Sequence, residues 1–264
     1  MFAFKLIRRL RPSVLASFAL GLALALAPTA ASAQERSLYM VSVGVGNAKG
    51  QARLQAVAKD ARDMARWAKA QEQKLFAHVQ ITTLTNNNAT RAGILRALQR
   101  LRSKTKPGDY VIFFDSSHGG LTNTGEFNLS AYDGSLYWHE IVAALQGVAG
   151  NKIVILDACH SGAAAAQRGP LVVFASSRGT ELSFDGSADG NSLFTRHLLA
   201  GLYGAADYNR DGAVTLQEAA TYAAARLTEA DRGKAAKDQQ HSLWSLPRGV
   251  PASLPLARVL ARVR

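Results

Sequence analysis

Residues 110–114 (YVIFF) and 152–157 (KIVILD) are near-continuous apolar runs that end in small polar residues, and they constrain the fold more than anything else in the chain. A strand that is apolar on both faces has to be covered on both, as at the centre of a parallel sheet flanked by helices. The neighbouring segments supply the rest of such a sheet. Residues 37–45, rich in valine and aromatics, predict a first strand, residues 79–85 a second, and residues 171–176 a further one. Leu54, Val57, Ala58, Ala61, Met64, Ala65 and Ala68 recur at helical spacing, with Lys59, Arg62, Asp63 and Arg66 on the other side. Thr90 is placed to cap a second helix that buries Ile94, Leu95, Leu98 and Leu101 and ends at Pro107-Gly108. Residues 192–203 and 216–229 read as helices, and residues 163–166 as a loop edge. The alternation defines an α/β chain with a mostly parallel central sheet and helices on both faces. It contains no internal repeat and no interdomain linker, so residues 34–264 are expected to form one domain. An edge strand after residue 238 is the one element the pattern leaves open.

The first 33 residues stand apart. Lys5, Arg8, Arg9 and Arg11 occur without an acid, an apolar run follows over residues 14–27, and Ala31-Ser32-Ala33 precedes Gln34. This is the pattern of a secretory signal peptide with an A-x-A cleavage site, and it predicts export to the periplasm or beyond. The apolar run is shorter than the ~20 residues a spanning helix needs, so no transmembrane segment is expected once the signal is removed. At 264 residues and 48% hydrophobic content the chain can bury a core without covalent staples. Its single cysteine, Cys159, excludes an intramolecular disulfide and any multi-cysteine zinc site. The formal net charge is +12. The densest basic cluster, Arg91, Arg96, Arg100, Arg102, Lys104 and Lys106, has no interleaved aromatics on which bases could stack. It reads as a solvated helix face; no nucleic-acid partner is expected, and a monomer is.

Reactive groups in open α/β sheets gather at the carboxyl ends of central strands. Ser116-Ser117-His118-Gly119-Gly120 follows the first apolar run, and Asp157-Ala158-Cys159-His160-Ser161-Gly162 completes the second. A cysteine is a strong nucleophile as the thiolate, and an imidazole within reach can take its proton. Glycine beside them lets a substrate carbonyl approach main-chain N–H donors. Asp157 lies two residues before Cys159, on the same side of an extended chain, and a carboxylate there favours a cationic side chain at the residue preceding the scissile bond, P1. A free thiol is unusual in an exported protein, which favours a reactive role for Cys159 over an inert one. His160, adjacent to the nucleophile, is expected to point away and to be structural. Asp115 is a weaker candidate for the role given to Asp157.

The motifs S-H-G at 117–119 and D-A-C-H-S-G at 157–162, each after an apolar strand, resemble the caspase-like cysteine peptidases in their bacterial metacaspase-like branch. Asp60-Ala61 in the first helix, A-S-S at 175–177 and S-L-F-T at 192–195 extend the resemblance over residues 38–222. The His–Cys separation is shorter than the roughly 50 residues of caspases proper, and Asp157 stands where those carry Gln. The resemblance implies a three-layer caspase-like sandwich. It implies Cys159 as a nucleophile forming a thioester, His118 as base and then proton donor, and an oxyanion hole from the N–H groups of Gly119 and Cys159. It further implies cleavage after Arg or Lys, with Asp157 and Asp60 selecting the cation and Ser116 lining the pocket. Competing readings remain open at this point: a solvated helix-face charge for Asp60, a loop-capping role for Asp157, and a non-catalytic module that binds basic peptides or partner proteins. The loops carrying Arg168 and Arg178 are short, so a single chain active without obligatory processing is expected. No cofactor is expected for the chemistry.

One further motif is local. Asp207, Asn209, Asp211, Gly212, Ala213, Thr215 and Glu218 fit the twelve-residue EF-hand loop, in which alternate oxygens surround calcium, glycine makes the sharp turn and a final glutamate closes the shell. A structural calcium clip is the expectation; a polar turn between two helices is the alternative.

Overall fold

The computed structural model describes residues 35–167, 169–186 and 190–259. The expected signal peptide and Arg168 therefore lie outside the described residues. Along the chain, β1 (Ser37–Gly44) leads through α1 (Val57–Ala70) to β2 (His78–Thr85), and α2 (Arg91–Gln99) leads to β3 (Tyr110–Ser116). A small antiparallel sheet follows, made of β4 (Gly119–Leu121), β5 (Phe127–Ala131) and β6 (Gly134–Tyr137), and then α3 (Trp138–Leu145). Next come β7 (Asn151–Asp157), α4 (Gly162–Ala166), β8 (Val172–Ala175) and α5 (Leu193–Ala200). The chain ends through β9 (Ala213–Thr215), α6 (Leu216–Ala230), β10 (Leu243–Ser245) and β11 (Pro255–Arg258).

The main sheet has the order β10-β8-β7-β3-β1-β2, parallel except for β10, the edge strand that the sequence left open. The apolar runs 110–114 and 152–157 fall on adjacent central strands and are buried apart from the half-buried Lys152. Side chains alternate between the sheet faces. Leu38, Met40, Tyr110, Ile112, Phe114 and Ile155 pack on one side with Met64 and Trp67 of α1, Phe194 of α5 and Leu227 of α6. Val41, Val43, Val111, Phe113 and Leu156 pack on the other with Ile94 of α2, Ile141 of α3 and Ala164 of α4. The result is three layers, helices over both faces of a mostly parallel sheet. Among the described residues no helix is long and apolar enough to cross a membrane.

Three details depart from the sequence reading. Residues 163–166 form most of a short helix, α4, rather than a loop edge; four consecutive alanines carry the best helix propensity and Ala164 and Ala165 are buried. The helix expected over 192–203 runs to Ala200 and continues as a π-turn over Gly201–Ala205. Leu95 is half-buried rather than buried, while Ile94, Leu98 and Leu101 are in the core and Thr90 accepts the capping bond from the Gly93 N–H. The strands β4–β6 gave no sequence signal, because three to five residues offer too few alternations to establish a period, whereas α3, also absent from the sequence reading, carries Trp138, Ile141 and Leu145 at helical spacing.

Register is what positions the site. Gly44, Ser116 and Asp157 are aligned neighbours across β1, β3 and β7, so the three strands end level with one another. The connections from β1 and β3 leave in opposite directions, which opens the crevice beyond their carboxyl ends where α/β sheets bind ligands.

Candidate active site

His118 lies two residues beyond β3 and Cys159 two beyond β7, so the level strand ends deliver both to one place. Both line a cavity of about 30 Å³ together with Asp157, Ser183, Asp185, Ser192 and Leu54. Each is engaged elsewhere in this state. The His118 Nε2 lies 2.7 Å from the Ala52 carbonyl oxygen, so Nε2 carries the proton and Nδ1 is the basic nitrogen. The Cys159 Sγ accepts from the Ser183 N–H at 3.3 Å and donates to the Ser183 carbonyl at 3.7 Å. Gly119 meets the Cys159 carbonyl so closely that a Cβ there would stand 2.1 Å from its oxygen; no other residue permits this approach of the two loops.

His160 is anchored away from the cavity, its N–H on the Glu181 carbonyl at 2.9 Å and its Nδ1 at 3.0 Å from the Gly179 carbonyl. The cause is not the extended alternation expected from sequence: His160 sits in the left-handed region, with φ of 62°, and this turn swings the chain away after Cys159.

Asp157 lines the cavity, and a second buried acid, Asp60, lies beside it. Ser116 Oγ donates to Asp60 Oδ2 at 2.9 Å, and Asp60 also accepts from Asn191 Nδ2 and from the N–H and Oγ of Ser192. Asp60 is fully buried, not a solvated helix-face charge. Burial and then the nearby charge of Asp157 push its carboxyl up to about 7, against the bonds from Ser192, Asn191 and Ser116. Asp157 accepts from the Thr195 N–H and Oγ1 at 3.1 and 2.6 Å and from Ser183 Oγ at 2.8 Å. Burial pushes Asp157 up as well, opposed by Thr195 and Ser183. Asp60, Ser116 and Asp157 thus meet on one face of the sheet.

Sequence reasoning missed Ser183, Asp185 and Asn191. Ser183 covers both the thiol and Asp157, while the Asp185 carboxylate takes the N–H groups of Gln55 and Ala56 at 2.7 and 2.9 Å. These bonds hold Ser183 over the cleft and tie Asp185 to the loop that holds His118. A volume of about 30 Å³ holds one or two waters and no arginine side chain. Ser192 and Thr195 had a signal in the S-L-F-T start of α5, whose first turn presents N–H groups to an acid. Ser183, Asp185 and Asn191 lie outside helices and strands, they bond to residues 7 to 132 positions away, and no local pattern marks them.

The EF-hand-like loop lies between the π-turn and α6. Asp207 Oδ1 and Asn209 Oδ1 accept from the Asp211 N–H, Asp207 Oδ2 accepts from Gly212, and Asp211 Oδ1 from Ala213. Gly212, with φ of 79°, makes the turn. Glu218 folds back on Thr215, accepting from its N–H and Oγ1, in the capping box that starts α6. Ala213–Thr215 pairs as β9 with β11 from the end of the chain. Among the described residues no three His, Cys, Asp or Glu side chains cluster closely enough to hold a metal ion.

A three-layer α/β sandwich with a thiol and an imidazole at neighbouring strand ends defines a class, and the sequence comparison names it. The family described as the caspase domain, Peptidase C14, matches residues 41–247, and the chain belongs to that family. No curated protein matches the sequence. Among solved structures, protein GSU0716 from Geobacter sulfurreducens is similar at 19% identity and a TM-score of 0.63, covering 85% of this chain and 100% of that one; the likeness is one of fold. Membership of the family supports a cysteine-peptidase type of hydrolase.

Proposed function

We propose that the protein is an endopeptidase that cleaves after Arg or Lys through a Cys159–His118 dyad. The observation that carries this is that the thiol, the imidazole and the Asp157 carboxylate line one cavity at the level ends of β3 and β7, with the Asp60 carboxylate buried against Ser116 beside Asp157. In this reading His118 Nδ1 takes the Cys159 proton, and the thiolate attacks the scissile carbonyl while the N–H groups of Gly119 and Cys159 receive the developing oxyanion. The imidazolium then protonates the leaving amine, and water hydrolyses the thioester. Asp157 and Asp60 pair with the P1 cation, and Ser116 orients Asp60.

The arrangement described above is a closed one. Substrate binding requires Ser183 to release both Cys159 and Asp157, and the cation at P1 then replaces the Ser183 hydroxyl at Asp157 with a charge. The test is hydrolysis of peptides carrying Arg, Lys, Asp or Ala at P1 by the purified chain beside Cys159→Ala. Turnover confined to Arg and Lys and lost in the variant supports the reading. Binding of Arg peptides without cleavage by the intact chain replaces it with that of a non-catalytic peptide-binding module.

The loop 207–218 is proposed, on its motif, as a calcium clip at the start of α6. Occupation would require Glu218 to leave Thr215 and turn to the ion. Its role would be structural, because the loop contributes no residue to the cleft.

A further inference from the structure

Asp115 is a fully buried acid to which the proposed mechanism gives no role. It follows Phe114 on β3 and so shares a face with Val111 and Phe113, opposite Ser116 and its neighbour Asp157. Its strand neighbours, Val43 on β1 and Leu156 on β7, are apolar. It is fully buried, and its Oδ2 has no partner. Oδ1 lies 2.6 Å from Ser117 Oγ, which in turn lies 3.1 Å from the His118 carbonyl oxygen. A hydroxyl carries one proton. If Asp115 were ionised, both oxygens facing Ser117 Oγ would be acceptors and only one could be served, while an unpartnered anionic oxygen would stay in the apolar layer.

We propose that Asp115 is a positioning residue that carries a proton, donating it to Ser117 Oγ so that the Ser117 hydroxyl is free to donate to the His118 carbonyl and hold the imidazole-bearing turn. That carbonyl also accepts from the Ser130 N–H at 2.9 Å, so the chain of bonds ties the turn to β5 as well as to the core. The charge that bears on Asp115 is Asp157 across β3–β7, and it opposes ionisation; His118, at the end of the same strand, faces the cleft rather than this layer. Burial, in the first place, pushes the Asp115 carboxyl up to about 7, opposed by the Ser117 bond. Ionisation above that pH takes the Ser117 proton away from the His118 carbonyl and loosens the turn.

The role of the turn rests on the proposed chemistry, while the proton itself does not. Two sets of measurements on the full chain therefore separate them. In infrared difference spectra at pH 6, Asp115→Asn is expected to lose a protonated-carboxyl band. Its Tm relative to wild type should rise between pH 5 and pH 8, because the amide still donates to Ser117 but never ionises. On an Arg peptide at pH 6, Asp115→Asn should keep kcat within about threefold, and Asp115→Ala and Ser117→Ala should each lose about tenfold in kcat with KM unchanged. At pH 8.5 the Asn variant should exceed wild type severalfold. An unchanged carboxyl band, or a Tm difference that does not vary with pH, overturns the protonated state. Equal kcat in the Asn and Ala variants overturns the positioning role. Should Asp115→Asn fail to fold, the Ser117→Ala kcat and KM decide the positioning role and wild-type carboxyl ¹³C titration decides the proton. If the wild type cleaves nothing, the proposed function falls and the spectra and Tm values still decide the proton.

Discussion

The molecule holds two groups of acidic side chains built in opposite ways. In the loop 207–218 the oxygens come from one twelve-residue stretch, Asn209 and Asp211 are exposed, and most bonds run to main-chain N–H groups within the loop. In the cleft, Asp60, Ser116 and Asp157 come from three elements, are sealed from solvent, and take donors from residues up to 132 positions away. The loop leaves its carboxylates in high dielectric, where they interact weakly with one another. The cleft raises its acids by burial, against the bonds that Ser192, Asn191, Thr195 and Ser183 donate to them. The same residue type is therefore a local turn-former in one region and a buried acid with a raised pKa in the other, and the difference is supplied by the sheet.

The largest effect is expected from removing the proposed nucleophile of the cleft. Cys159→Ala is expected to lower peptide hydrolysis by about 10³-fold or more while the Tm moves by only a few degrees; hydrolysis that survives would show that the cleft is no more reactive than the loop. Asp157→Asn comes next. It should cost about 10²-fold or more in kcat/KM for an Arg peptide, the scale of losing one partner of a buried charge pair, and leave Ala at P1 little changed. Equal losses for both peptides would mean a structural role alone.

A pH series tests whether burial sets the cleft's charge. Asp60 is raised from 3.8 to about 7, so its folded form binds protons more tightly than its unfolded form. Stability contributed at low pH is then lost as pH rises from about 4 to about 7 and is constant above. The KM for Arg peptides should move the other way, falling several-fold as the carboxylate forms between pH 6 and 8. Asp60→Asn should flatten both trends. The smallest effect belongs to the loop. Calcium at about ten times its Kd should stabilise the chain by ~1.4 kcal/mol and raise the Tm by a few degrees, and Glu218→Gln should abolish the rise. A shift in P1 preference on adding calcium would join the two regions that the comparison separates.

Much of the scaffold was legible. The apolar runs ending at Phe114 and Asp157 and the Thr90 cap depend on neighbours within a few residues and were found where expected, as was the amphipathic spacing of α1 from Val57 onward, with Leu54 half-buried ahead of the helix. The His118 and Cys159 motifs were legible because strand ends and glycines mark them. The hairpins β4–β6 were not, and neither were Ser183, Asp185 and Asn191. Those residues matter only through bonds closed by the completed fold.

The sequence by itself determined which segments become central strands and which side chains stand at their carboxyl ends, because apolar periodicity and chain direction act locally. Packing alone decided that β1, β3 and β7 end level, that Asp60 is buried against Ser116 and Ser192, and that Ser183 lies across the thiol. Strand register and loop closure are fixed by packing over the whole core, and a carboxylate's charge follows from the burial that packing creates.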